Sequence, residues 1–298
     1  MKFLVTGGCG FIGSNLVEEL LNQGNEVVVL DNLHTGSLEN LKGFNIELIK
    51  GNSGEISNLS LDVDGIFHLG MPSSSPMYKE NPSLVGKTIN EFINIMEFAR
   101  KNKIKVIYAS SSSIYNGLKP PHKENMEIKV TDYYTETRLC IERMAKLYYK
   151  LHGVKSIGLR LFSVYGPKEK AKGKYANLVS QFLWALQKKE SPIIYGDGSQ
   201  TRDFIYVKDV VDAFILAMSS KIKCDIFNIG TGKSISLNQL VGMLNKILKT
   251  NTKPKYIKNP IKNYVQHTQA DPKKAEKILG FKAKYNLEEG IKKIISED

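Results

Sequence analysis

Three groups of residues in this 298-residue sequence have types and spacings that could do chemistry. The first is Thr6-Gly7-Gly8-Cys9-Gly10-Phe11-Ile12-Gly13, a glycine-rich turn joining a short apolar run, Lys2 to Val5, to a helix-like run, Ser14 to Gln23. Glycine suits a turn that takes positive φ, and it lets backbone approach a phosphate and helix pack closely on strand. The helix start then offers free N–H groups and the positive end of its dipole to a pyrophosphate. Loop glycines often only make a turn, so context matters. Here a second apolar run, Val27 to Leu30, ends in Asp31, eighteen residues after Gly13, where an acid meets adenosine ribose hydroxyls. Asn32 follows rather than Arg or Lys, so nothing beside Asp31 welcomes a 2′-phosphate, and NAD is expected over NADP. The second group is Ser110-Ser111-Ser112-Ser113, directly after the apolar run Val106 to Ala109. The third is Tyr134 and Arg138, four residues apart in a helical pattern, a spacing that lets both act on one atom.

These groups need elements to position them. Lys2 to Val5 and Val27 to Leu30 read as strands, as do Ile46 to Ile49, Gly65 to Leu69, Val106 to Ala109 and Ser156 to Leu161. Thr88 to Lys101 carries Ile89, Phe92, Ile93, Met96 and Ala99 at helical spacing, and Asp132 to Leu151 carries Leu139, Met144, Leu147 and Leu151. Strand and helix alternate over about 160 residues, which predicts an α/β fold with a doubly wound parallel sheet. Such sheets bind ligands at the carboxyl ends of their strands, where the glycine loop, the serine run and the Ser- and Pro-rich stretch Met71 to Pro82 fall. That stretch cannot be regular structure throughout. After Gly166-Pro167 the alternation weakens. Helices are expected over Asn177–Lys188, Asp209–Met218, Leu237–Leu248, Pro272–Leu279 and Leu287–Ile295, and strands over Pro192–Tyr195 and Cys224–Ile229. The expected division is a Rossmann domain over 1–165 and a smaller C-terminal α/β substrate lobe over 166–298, with about 204–230 returning to the first domain.

Composition narrows the classes. With 42% hydrophobic and 24% charged residues the chain is of globular type and long enough for a large core. Its apolar runs fall short of the ~18 to 20 residues that span a bilayer, so no membrane partner and a cytoplasmic location are expected. Cys9, Cys140 and Cys224 are an odd number without metal-type spacing, so no metal is expected. The net charge of +12 rests on 37 Lys against five Arg spread along the chain, which argues against a nucleic-acid partner. Lys168–Lys174 and Lys249–Lys262 form local clusters. They are either solvated lysines or a positive surround for an anion such as a nucleotide diphosphate.

Together, Thr6 to Gly13, Asp31-Asn32, Ser110-Ser111, Tyr134, Leu159-Arg160, Val164 to Pro167, Gly196 to Phe204, Asn228 to Gly232 and Ala270-Asp271 resemble the extended short-chain dehydrogenase/reductase family. Within it the chain is most similar to the NAD-dependent nucleotide-sugar epimerases and dehydratases, typified by UDP-glucose 4-epimerase, and the likeness covers nearly the whole length. It implies NAD held by Gly7, Gly10, Phe11, Ile12, Gly13, Asp31, Asn32 and Asn52, with Tyr134 and Arg138 at the reacting end. It implies Tyr134 as acid/base and Ser111 as hydrogen-bond donor to the reacting hydroxyl of a nucleotide diphosphate sugar such as a UDP-hexose. The C4 hydroxyl would give its proton to Tyr134 while hydride passes to the nicotinamide. The 4-keto sugar would then turn and take hydride on its other face. A tyrosine of ordinary pKa, about 10, does this at neutral pH only beside positive charge. The resemblance also implies a homodimer through Thr88–Lys101 and Asp132–Leu151.

Departures from the family pattern are as informative. Arg138 stands where the family has Lys, keeping the charge but bringing a bulkier, forked group that cannot lose a proton. Tyr133 replaces a usual Pro, Asn116 a Gly, Thr88 and Ser163 an Asn each, and Asn52 the acid that faces adenine. Ile261 replaces an Arg that grips the substrate diphosphate, which leaves Lys262 as a substitute and Arg202 as the main expected contact, with Ser163 nearby. Ser112 and Ser113 occupy the positions of the dehydratases' Asp-Glu pair, so dehydration lacks a proton-transfer partner and UDP-glucose/UDP-galactose 4-epimerisation is the simpler fit. Another sugar-nucleotide enzyme, a decarboxylase, reductase or different epimerase, stays open. So does a non-catalytic NAD- or nucleotide-sugar-binding protein, for which Arg138, Ser163 and Ile261 speak.

Overall fold

The apolar run after Met1 forms β1 (Lys2–Thr6), whose side chains alternate between two cores, Phe3 and Val5 facing one and Leu4 the other. The computed structural model, which describes residues 1–297, continues this through β2 (Glu26–Asp31), β3 (Glu47–Lys50), β4 (Gly65–His68), β5 (Lys105–Ser111) and β6 (Ser156–Leu161). With the strand Cys224–Ile229 they make a seven-stranded parallel sheet. That strand lies at one edge, followed in space by β6, β5, β4, β1, β2 and β3. Val5 pairs with Val29 on one side and Phe67 on the other. Strands covered on both faces need apolar residues at nearly every position, which is why the middle of β1, β2 and β4 reads as Val, Ile, Leu and Phe.

The helices are α1 (Phe11–Asn22), α2 (Ser75–Glu80), α3 (Leu84–Asn102), α4 (Tyr133–His152), α5 (Leu178–Gln187) and α6 (Val207–Ser219). On one face of the sheet α1 and α6 bring Leu16, Val17, Val211 and Phe214 against Phe3, Val5, Phe67 and Phe227. On the other, α3 and α4 bring Phe92, Met96, Ile141 and Ala145 against Leu4, Val28, Ile66 and Val106. This is the doubly wound sheet expected. A third core, including Val179, Phe182, Leu240, Leu244 and Ile291, joins α5 to the helices Leu237–Leu248 and Leu287–Glu297. It is accompanied by short strand pairs, such as Thr201–Arg202 with Ile235–Ser236.

Some boundaries differ from the expectation for local reasons. α1 starts at Phe11, three residues before Ser14, because its bonding begins inside the glycine loop, with Ser14 N donating to Gly10 O at 2.9 Å. β5 runs on through Ser110 and Ser111, which pair with Arg160 and Leu161. The Ser- and Pro-rich stretch contains α2, which tolerates Pro76 because a first-turn residue has no intrahelical acceptor to lose. The start of α4 is set by Asp132, whose carboxylate accepts from Thr135 N at 2.8 Å while Thr135 Oγ1 accepts from Asp132 N at 3.2 Å. No helix among the described residues is long and apolar enough to cross a membrane.

Candidate active site

Between the end of β1 and the start of α1 lie only Gly7 to Gly10, and this sharp join forms one end of a cleft of about 460 Å³ over the carboxyl edge of the sheet. Gly7 has φ +71°, and a Cβ there would lie 2.7 Å from Gly70 N in the loop after β4. A Cβ on Gly13 would collide with the Gly7 carbonyl oxygen. Phe11, Ile12 and Gly13 line the cleft, and as first-turn residues their amides have no intrahelical acceptor. Asp31 stands beyond them with Oδ1 accepting from Leu33 N at 2.7 Å and Oδ2 from Cys9 N at 2.9 Å. Those bonds aim the carboxylate in advance, while burial raises its pKa above the usual value. A cradle that side chains would fill, free amides and an oriented acid together fit a dinucleotide's pyrophosphate and ribose.

At the other end, Tyr134 and Arg138 project from α4, with Arg138 Cζ 4.8 Å from the centroid of the Tyr134 ring. The guanidinium is buried, donating from Nη2 to Pro72 O at 2.6 Å and from Nη1 to Met71 Sδ at 2.8 Å. Burial opposes its charge, but the neighbouring Tyr134 and Tyr78 outweigh this and hold its pKa above the ordinary arginine value. His68 lies fully buried at the end of β4, with Nδ1 2.8 Å from Thr6 Oγ1. Burial and the Arg138 cation push its pKa down to about 3, so the ring is neutral at physiological pH.

Ser111 lines the cleft beside Tyr134, its Oγ accepting from Ser113 N at 3.1 Å. Beneath it, Ser110 Oγ donates to Glu142 Oε1 at 2.5 Å. Glu142 is gripped by Arg160, Nε to Oε1 at 3.0 Å and Nη2 to Oε2 at 2.7 Å, and Arg160 Nη1 donates to Tyr115 OH at 2.6 Å. Tyr134, Arg138 and Glu142 follow one another at four-residue intervals, so one face of α4 presents the phenol, the cation and the anchor of the serine strand end.

One cleft therefore gathers Gly7, Gly10, Phe11, Ile12, Gly13, Asp31, Asn32, Ser111, Tyr134, Arg138 and Ser163. Asn52, Arg202 and Lys262 are not part of its wall. The Asn52 amide oxygen accepts from Asn32 Nδ2 at 2.9 Å and Lys87 Nζ at 3.2 Å. Arg202 is buried 5.3 Å from the Tyr264 ring centroid, its guanidinium donating to the carbonyls of Thr201, Val265 and Gln266, so it braces that segment. Lys262 is exposed. Conversely, Lys172, Tyr175 and Asn177 line the cleft although none was singled out individually. Asn177 caps α5 by accepting from Val179 N at 3.0 Å, and an Asn before an apolar helical run is a signal that the sequence did carry.

Residues 3–230 match the NAD dependent epimerase/dehydratase family. UDP-glucuronic acid decarboxylase 3 of Arabidopsis thaliana is 33% identical over 303 residues, which span 98% of this chain and 87% of that protein. The structure of UDP-glucose 4-epimerase from Thermotoga maritima with UDP-glucose superposes with a TM-score of 0.93 at 32% identity, covering 99% of this chain and 98% of that one. UDP-N-acetylglucosamine 4-epimerase from Methanobrevibacter ruminantium M1, in complex with UDP-N-acetylmuramic acid, superposes with a TM-score of 0.92 at 31% identity, covering 100% and 99%. Among the described residues no group of three or more His, Cys, Asp or Glu could hold a metal ion. With a family match across most of its length and a glycine cradle that fits a dinucleotide, the chain belongs to the NAD dependent epimerase/dehydratase family and uses NAD as its cofactor.

Proposed function

We propose that this nucleotide-sugar-modifying enzyme is a 4-epimerase that interconverts UDP-glucose and UDP-galactose. The observation that carries the reading is the buried guanidinium of Arg138 over the Tyr134 ring, in the same cleft as the dinucleotide cradle and Ser111. NAD, when bound, supplies the uptake and return of hydride at the sugar carbon. The protein's own residues handle the proton and the geometry. Tyr134 takes the proton of the C4 hydroxyl and returns it, and Arg138 offsets the negative charge that develops on the phenol oxygen. Ser111 donates a hydrogen bond to the same sugar oxygen and steadies its charge. The cleft presents only hydroxyls at Ser110 to Ser113, so elimination of water has no second proton carrier there, whereas epimerisation needs one acid/base and a keto sugar free to turn.

Ser163 and Asn177, which line the cleft, meet the nucleotide diphosphate in this reading, and Lys262 and Arg202 join them if the segment at Val265 and Gln266 releases the guanidinium. In this reading 1–165 and 204–230 carry the cofactor and the rest of 166–298 carries the nucleotide sugar. Leu147 and Leu151, 46% and 67% exposed on α4, support pairing of two copies through α3 and α4. The similarity to a UDP-glucuronic acid decarboxylase supports a second reading, loss of CO2 from a UDP-uronate.

The test is conversion of UDP-galactose by purified protein without added NAD, beside a Tyr134→Phe control. Formation of UDP-glucose that vanishes in the control is the expected result. No conversion, even with NAD supplied, would sink the UDP-galactose reading. Release of CO2 from UDP-glucuronate would then favour the decarboxylase, and NAD binding without turnover of any nucleotide sugar the non-catalytic protein.

A further inference from the structure

The lysine-rich stretch after Gly166-Pro167 forms a clasped loop at the cleft. Its neck is closed by Glu169, a buried carboxylate that accepts from Asn177 N at 2.8 Å, Ser180 Oγ at 2.6 Å and Lys172 Nζ at 3.0 Å. Its far side is tied to Glu80 at the end of α2, by Lys174 Nζ at 2.9 Å and Tyr175 OH at 2.8 Å. Between neck and tie, Gly173 takes φ +51° and ψ −122°, a bend that suits glycine. The Tyr175 ring packs against the cluster of Met77, Tyr78 and Tyr134, so the loop rests on the catalytic end of the cleft.

The lysines of this loop are not equivalent. Lys168 is paired with Glu18, Lys172 with Glu169 and Lys174 with Glu80, and of these three only Lys172 lines the cleft. Its Nζ lies 5.5 Å from the centroid of the ring of Phe11, the first residue of α1, and both residues line the same cleft as Ile12 and Gly13. An ammonium has three N–H donors, and the bond to Glu169 uses one. Glu169 shares its charge among three donors, so Lys172 keeps attraction for a second anion.

We infer that Lys172 binds the pyrophosphate of the bound dinucleotide and that residues 170–176 form a clasp that retains the cofactor. The amides of α1 offer partial positive charge from one side, and Lys172 adds a full charge from the other. The clasp is firm at its buried neck and weak at its exposed tie to Glu80, so cofactor exchange proceeds by breaking the tie. The inference rests on NAD as cofactor and not on which sugar reacts, so a failed epimerase assay leaves it standing.

The test uses the full chain. ADP-ribose affinity is measured by calorimetry after the cofactor is stripped, and NADH release by fluorescence after dilution into excess NAD. Lys172→Met is expected to weaken ADP-ribose binding about tenfold, the size of a lost charge-assisted hydrogen bond, and to flatten its dependence on salt. Lys172→Arg should restore most of the affinity, and adenosine, which lacks the diphosphate, should bind all three proteins alike. Glu80→Gln should speed NADH release severalfold while leaving ADP-ribose affinity nearly unchanged. Thermal melting of the stripped variants reports their folding. An unchanged ADP-ribose affinity in folded Lys172→Met, or an equal loss for adenosine, would overturn the pyrophosphate contact. An unchanged release rate in Glu80→Gln would overturn the clasp.

Discussion

Replacing Arg160 with Met tests whether the serine strand end is anchored by a desolvated ion pair. Arg160 and Glu142 are buried on both sides, with 5% and 3% of their side chains exposed. Arg160→Met removes both bonds to Glu142 and the bond to Tyr115, leaving the carboxylate with Ser110 Oγ. Breaking a buried pair from one side costs about 3–5 kcal/mol, because the remaining charge loses its counter-ion and keeps only the Ser110 hydroxyl. Against a typical total of about 5–15 kcal/mol this is a large loss. Adding Glu142→Leu removes the stranded charge and should recover about 2 kcal/mol or more of it, a coupling that a double-mutant cycle isolates. Urea unfolding should be followed by circular dichroism, since the single Trp, Trp184, lies in α5 away from the pair. Salt should change the result little, as buried charges are poorly screened. A single variant that loses less than about 1 kcal/mol, or a double variant no more stable than the single, would refute the reasoning by showing that Glu142 finds water or a new partner.

Two further perturbations probe Arg138 and its buried neighbour His68. Arg138→Lys keeps the positive charge but not the fork that meets Pro72 O and Met71 Sδ, so kcat should fall about tenfold or more while the NAD content of the purified protein stays the same; an unchanged kcat would show that charge alone matters. His68 gives a pH dependence whose sign follows from its pKa, 6.5 unperturbed and about 3 in the fold. Above 6.5 its contribution is present, and as pH falls the unfolded chain takes up the proton first, so stability is lost, by about 2 kcal/mol at pH 5 and about 4 kcal/mol near pH 3. His68→Gln should therefore unfold with a shallower dependence on acid, as read from urea midpoints between pH 7 and pH 4. An unaltered slope would mean that His68 is not the group responsible.

Much of the fold was legible in the sequence because it follows from local rules. The strands Ser156–Leu161 and Cys224–Ile229 and the helix Leu237–Leu248 have the bounds expected, since apolar runs and helical period are properties of neighbours along the chain. The glycine loop was equally legible, because positive φ at Gly7 and close approach at Gly13 are demands on single residues. So was the meeting of Tyr134 with Arg138, which the helical repeat alone brings together.

What only the tertiary structure decided is what each long polar side chain binds. Arg202, which the family resemblance assigns to the diphosphate, donates to the carbonyls of Val265 and Gln266, more than sixty residues away. Arg138 finds Pro72 across a separation of 66, and Lys172 meets Glu169 and the ring of Phe11 at the start of α1. Glu142 and Arg160 become a buried pair only when α4 lies across β6. Arg, Lys and Glu side chains are long and have several donors or acceptors, so their partner is whichever complementary group the packing of distant elements brings within reach, and no local period encodes that choice.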